Sequence, residues 1–191
     1  MNKLIIVLLI VSTLIGCGND IESTVRNEAN ALNQEWTATG RRLGFVALYA
    51  PMVASAAKKQ IIIYQSPKSL PNDTAGYKDY PIVLKKYQAL CDSLQRLNAR
   101  YQSIKTDYVS ERTAFNAFLN DMQSGKLSNT DARIALLEHH RNCKKFTAES
   151  QNIHIQLQKL AKKHDAFSYQ LAGYTSEVDY YQIKMPETII E

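Results

Sequence analysis

Residues 132–185 read ARIALLEHHRNCKKFTAESQNIHIQLQKLAKKHDAFSYQLAGYTSEVDYYQIKM. In steps of three and four they show one seam: Ala132, Leu136, His139, Cys143, Phe146, Ser150, Ile153, Leu157, Leu160, His164, Phe167, Leu171, Tyr174, Val178, Tyr181, Met185. The alternation holds for about seven heptads without a proline, so the spacing predicts a helix on the order of 80 Å long. Only a coiled-coil-like neighbour covers so narrow a stripe.

The preceding stretch supplies that neighbour. From Pro81, a residue suited to a first helical turn, runs Val83, Tyr87, Leu90, Leu94, Leu97, Tyr101, Ile104, Tyr108, Glu111, Phe115, Phe118, Met122. Gly125 stops this helix, and Ser128-Asn129-Thr130-Asp131 resembles a capping-box start for the next. A connection that short makes the two helices antiparallel, with residue numbers of facing pairs adding to about 252. A further pattern, Ile21, Val25, Leu32, Trp36, Leu43, Val46, Ala50, Val53, Ala57, Ile61, Tyr64, predicts another long helix with a kink near Pro51. The expected fold is all-α, an elongated antiparallel bundle or coiled-coil hairpin. Its three helices are expected over 20–65, 81–123 and 129–185, in one helical domain spanning 20–185. Residues 66–80, with Pro67, Pro71 and Gly76, form the long loop, and 186–191 a flexible tail.

The amino terminus sets the compartment. Lys3 precedes an apolar run from Leu4 to Ile15, too short for a comfortable span and shaped like a signal-peptide core. It ends in Leu14-Ile15-Gly16-Cys17. This resembles the lipobox of bacterial lipoproteins, over residues 1–17 alone. The resemblance implies that residues 1–16 are cut away and that Cys17 becomes the acylated (palmitate-type) first residue, with 17–19 as the lipidated terminus. Several acyl chains, at about 0.8 kcal/mol per buried methylene, anchor far better than one. Asp20 lies two places beyond the position that marks inner-membrane retention in enterobacterial lipoproteins. The resemblance thus implies an outer-membrane address facing the periplasm.

Charge and reactive residues narrow the function. The chain has 23 Lys and Arg against 18 Asp and Glu, and its basic pairs at 41–42, 58–59, 85–86, 144–145 and 162–163 read as scattered. That argues against a nucleic-acid partner. Cys91 and Cys143 lie too far apart in the antiparallel register for an intrachain disulfide, so each is expected free or, for Cys91, paired between chains. Glu111, His139 and Cys143 share a level, the weak candidate for a metal site; the alternative is a polar layer with Glu111 bonded to His139. His164 reads as a satisfied core histidine and His154 as exposed. Tyr77 and Tyr80 in the long loop are either contact residues or packed against the bundle end. Residues 43–57 carry no charge and suit either burial between neighbours, an oligomer interface included, or contact with lipid. No phosphate loop, GxSxG or paired-carboxylate motif is present. The expectation is a non-enzymatic, cofactor-free envelope protein: an interaction, scaffold or exclusion/immunity-type lipoprotein. It would be held at the membrane by lipid, with an envelope protein, or a second copy of itself, as partner. The alternatives are a membrane-contacting module built on 43–57 and a metal-binding protein.

Overall fold

The computed structural model describes residues 21–65 and 78–174. The protein is all-α: α1 spans Ser23–Tyr64, α2 spans Tyr80–Gln123 and α3 spans Asn129–Ala172, packed against one another. The chain sorts into two compact units. Unit 1 takes the early part of α1 (to Thr37), the end of α2 (from Asp107) and the start of α3 (to Thr147). Unit 2 takes Ala38–Thr106 and everything from Ala148. Each unit is built from all three helices.

The helix ends follow local chemistry. Gly125, at φ 70°, is the left-handed residue of a Schellman close on α2. Lys126 N–H donates to the Asp121 carbonyl at 3.0 Å, and Gly125 N–H to that of Met122 at 3.4 Å. Ser128 then caps α3: its Oγ accepts from Asp131 N–H at 3.1 Å and donates to the Asp131 carboxylate at 2.6 Å. At the start of α1 the Glu22 carbonyl accepts the first helical bond from Arg26 N–H at 3.2 Å. Glu22 N–H donates to Asn129 Oδ1 at 2.8 Å, and Arg133 donates to the Glu22 carboxylate at 2.5 Å. The guanidinium holds that carboxyl below its usual range. Asp20 lies outside the described residues.

In unit 1 the core is aromatic. Trp36 is fully buried, with ring centroids 5.5 Å from Tyr108, 6.1 Å from Phe115 and 5.7 Å from Phe146. Tyr108 donates to the Trp36 carbonyl at 2.8 Å, and Arg112 to Asn33 Oδ1 at 2.7 Å. Asn142 donates to Glu111 at 2.9 Å, and His139 meets Phe115 and Phe118. Numbers thus rise along α3 as they fall along α2, the antiparallel pairing expected from the short turn. In unit 2 the same sense appears in Tyr87 on His164 and Tyr80 on Tyr174.

Several features depart from the sequence reading. Past Leu157 the buried stripe of α3 runs through Ala161 and Ser168, while Leu160 and Phe167 are half-buried. A helix covered by two neighbours buries a wider arc than one seam, and its centre takes the small residues that allow close approach. In α1, Gln60 is buried where Ile61 was expected, because Val53, Ala57, Gln60 and Tyr64 keep the heptad spacing. Tyr169, placed opposite Val83 by the register, is 71% exposed; the neighbouring Ser168 holds the inward position. The helix expected to reach Met185 ends at Ala172. Gly173 and Tyr174 form a turn, with N–H groups bonded to the Tyr169 and Leu171 carbonyls. Residues 175–191, and with them the 186–191 tail, lie outside the described residues, as do Cys17, Tyr77 and most of the 66–80 loop. α1 runs through Pro51 as one helix, with the proline on its exposed side.

Candidate interaction surfaces and buried polar sites

The Glu111, His139 and Cys143 side chains do not gather into a ligand group. Glu111 accepts from Asn142, not from His139. The His139 ring sits 5.2 Å from both Phe115 and Phe118, and burial lowers its pKa. Cys143 is fully buried, and burial pushes its thiol up to about 11. A thiol that keeps its proton is neither a nucleophile nor a ready ligand. Among the described residues no group of three or more His, Cys, Asp and Glu side chains could hold a metal ion. Cys91 is a half-buried free thiol in unit 2, its pKa raised by burial and then by Asp92.

The larger polar site is in the core of unit 2, where sequence had shown only a lone His164. Tyr87 donates to Gln60 Oε1 at 3.0 Å, and its oxygen lies 2.8 Å from His164 Nδ1. Ser168 Oγ also donates to Gln60 Oε1, and Tyr64 donates to the Ser168 carbonyl at 3.1 Å. With the Tyr87 proton directed to Gln60, the Nδ1–H of a neutral His164 donates to Tyr87. Its Nε2, without a partner among the described residues, is then a bare lone pair. Burial lowers the His164 pKa, against a smaller opposite pull from Asp165, and raises that of Tyr87. Tyr87 is fully enclosed. Tyr80 is also buried: its hydroxyl donates to the Tyr64 carbonyl and its ring meets Tyr174 edge-on at 5.6 Å. It packs on the bundle and is not an exposed contact residue. His154, expected exposed, is half-buried with its ring 4.7 Å from Phe45, and burial lowers its pKa.

The surfaces are more distinctive than the interior. In unit 1 a groove of about 350 Å³ lies between α1 and α3. Ala31, Leu32, Leu136 and Leu137 line it, with Glu28 and Glu35 on the α1 wall and Arg133 and His140 on the α3 wall. Leu137 is 73% exposed there. In unit 2 the 43–57 stretch is split by its helix. Leu43, Val46, Ala50, Val53 and Ala57 are buried, whereas Gly44, Pro51 and Ser55 face out, with Leu48 at 58% and Met52 at 47% exposure. Burial between neighbours therefore accounts for one side of the segment only. α1 has the length and composition to cross a membrane, with mean hydropathy 1.2 over its most apolar 18 residues, 28% of them buried. It contains no Asp or Glu from Trp36 to Tyr64.

The basic residues that looked scattered along the chain are segregated in space. The described residues of unit 2 carry 13 Lys and Arg against 4 Asp and Glu; those of unit 1 carry 7 against 8. Chain order hides this, because each unit collects segments of all three helices. No family model matches the chain, and neither a curated protein nor a solved structure is detectably similar to it.

Proposed function

We propose that this chain is a lipid-tethered protein of the bacterial envelope that works by presenting helix surfaces to a partner rather than by catalysis. The lipobox-like Leu14-Ile15-Gly16-Cys17 supports the tether, and an outer-membrane, periplasm-facing address goes with it. Leu137 carries the interaction reading: a large apolar side chain held in water above a leucine-floored groove with charged walls. An apolar centre inside a charged rim is how protein interfaces concentrate their binding energy. The occupant that fits is an amphipathic helix of an envelope protein, its apolar edge on Leu32 and Leu136 and basic residues toward Glu28 and Glu35. A photo-crosslinker at Leu137 in the full chain, activated in the native membrane, should capture one discrete protein. The Leu137→Glu variant, crosslinked from Arg141, should lose it. Capture that is unchanged by Leu137→Glu would refute the groove; palmitate labelling that survives Cys17→Ser would refute the tether.

A second reading rests on the outward side of α1. Leu48 and Met52 lie between Arg41 and the Lys58-Lys59 pair on a helix stretch free of carboxylates, the make-up of a helix that lies on an anionic bilayer. The non-acylated Cys17→Ser chain should float with phosphatidylglycerol vesicles, and Leu48→Asp/Met52→Asp should sink.

A further inference from the structure

Unit 2 holds a groove of about 360 Å³ between α2 and α3. Its walls are Ser93, Arg96, Leu97 and Arg100 from α2, and Gln156, Lys159, Leu160 and Lys163 from α3. Four cations line it and no carboxylate does. All four are exposed, and none forms an ion pair with a described acid. The acids of these two helix segments, Asp92 and Asp165, are absent from the lining. A salt-bridged helix pair would alternate charge here; this one repeats a single sign at i and i+4 on both walls.

The helix directions bring the charges together. Side chains on a helix lean toward its N-terminus, and α2 and α3 are antiparallel, so those of the two walls lean past each other. The Tyr87–His164 contact fixes the register. In it Arg96 and Lys163 converge near the level of Ser93, and Arg100 and Lys159 near that of Leu97. The Arg96 guanidinium confirms its own direction by donating to Ser93 Oγ at 3.1 Å. The result is two cation pairs one helical turn apart, about 6 Å along the groove, above the apolar Leu97 and Leu160. Like charges held this close repel unless an anion lies between them.

We propose that this groove binds phosphate, in the form of two phosphate groups joined or held within one molecule. Each arginine offers a planar fork to phosphate oxygens, and each lysine a point charge from the opposite wall. The Gln156 amide supplies a neutral donor between them, while the Ser93 hydroxyl proton is engaged on the Ala89 carbonyl at 2.8 Å. Inorganic pyrophosphate and the headgroup of cardiolipin, which carries two phosphates in one molecule, share this chemistry, and the two sources separate by experiment.

The full chain in neutral detergent, at about 150 mM salt, is titrated with inorganic pyrophosphate and followed by phosphorus NMR and calorimetry. Binding is expected at one site per chain, weakened at least tenfold in Arg96→Gln/Arg100→Gln/Lys159→Gln/Lys163→Gln. The variant Lys78→Gln/Lys85→Gln/Lys86→Gln/Lys105→Gln removes the same charge elsewhere in unit 2 and should bind as wild type. Cardiolipin doped into the micelles should displace pyrophosphate if the headgroup is the natural source, and leave it bound if a soluble diphosphate is. Circular dichroism checks that these surface variants stay helical. No binding, equal loss in both quadruple variants, or duplex DNA binding as tightly as pyrophosphate with no dependence on the four groove residues would each overturn the site.

Discussion

Trp36 shows how much rests on single side chains. It is enclosed by Tyr108, Phe115 and Phe146, while its Nε1 has no partner among the described residues. Trp36→Ala should destabilise the protein by about 3–5 kcal/mol. Trp36→Phe should cost far less, since it keeps most of the ring contact and removes an unpaired buried donor. Chemical denaturation of both variants measures the gap. Three histidines, His139, His154 and His164, have pKa values lowered by burial from 6.5. In the unfolded chain they take up protons first. Their neutral burial is therefore without penalty above about pH 6.5, and stability is lost as pH falls through the lowered folded values. Thermal melts should drop over that window, and His164→Gln should flatten the drop. Thiol labelling at pH 8 should reach Cys91 first, with Cys143 protected until the helices open.

At the scale of elements, most of the helix seams could be read directly. All the apolar α2 positions named from sequence are buried except Tyr108, which is half-buried. A period of three and four states which side a helix hides, and the α2–α3 turn was spelled out in Gly125 and Ser128. Gly125→Ala should cost about 1 kcal/mol, because φ 70° strains any Cβ. Ser128→Ala should cost about as much through the lost cap. Both are read as shifts in denaturation midpoint. What periodicity missed was the choice between adjacent residues. Ser168 over Phe167 is decided by partners on other helices, which one helix's pattern does not contain. The polar site around Tyr87 stayed hidden for that reason, and so did the contacts that separate His139 from Glu111.

For the whole molecule, the sequence carried the class of fold but not its division into two units or the sorting of charge between them. Counting along the chain mixes the two, since every helix belongs to both. The excess of cations in unit 2 has a measurable cost: like charges oppose compaction, and salt relieves them. Hydrogen exchange should show the helix segments of unit 2 gaining protection between about 0.05 and 0.5 M salt, with those of unit 1 little changed. The hydroxyls around Gln60 bear on a different matter. Heptad seams tolerate sliding, because one leucine layer looks much like the next. Slip α3 by one repeat toward the middle of α2 and His164 would meet Leu94 in place of Tyr87, while Ser168 would lose its amide. Every mis-threaded arrangement strands several dipoles in oil, so the correct alignment is the one arrangement in which none of these hydroxyls goes unanswered.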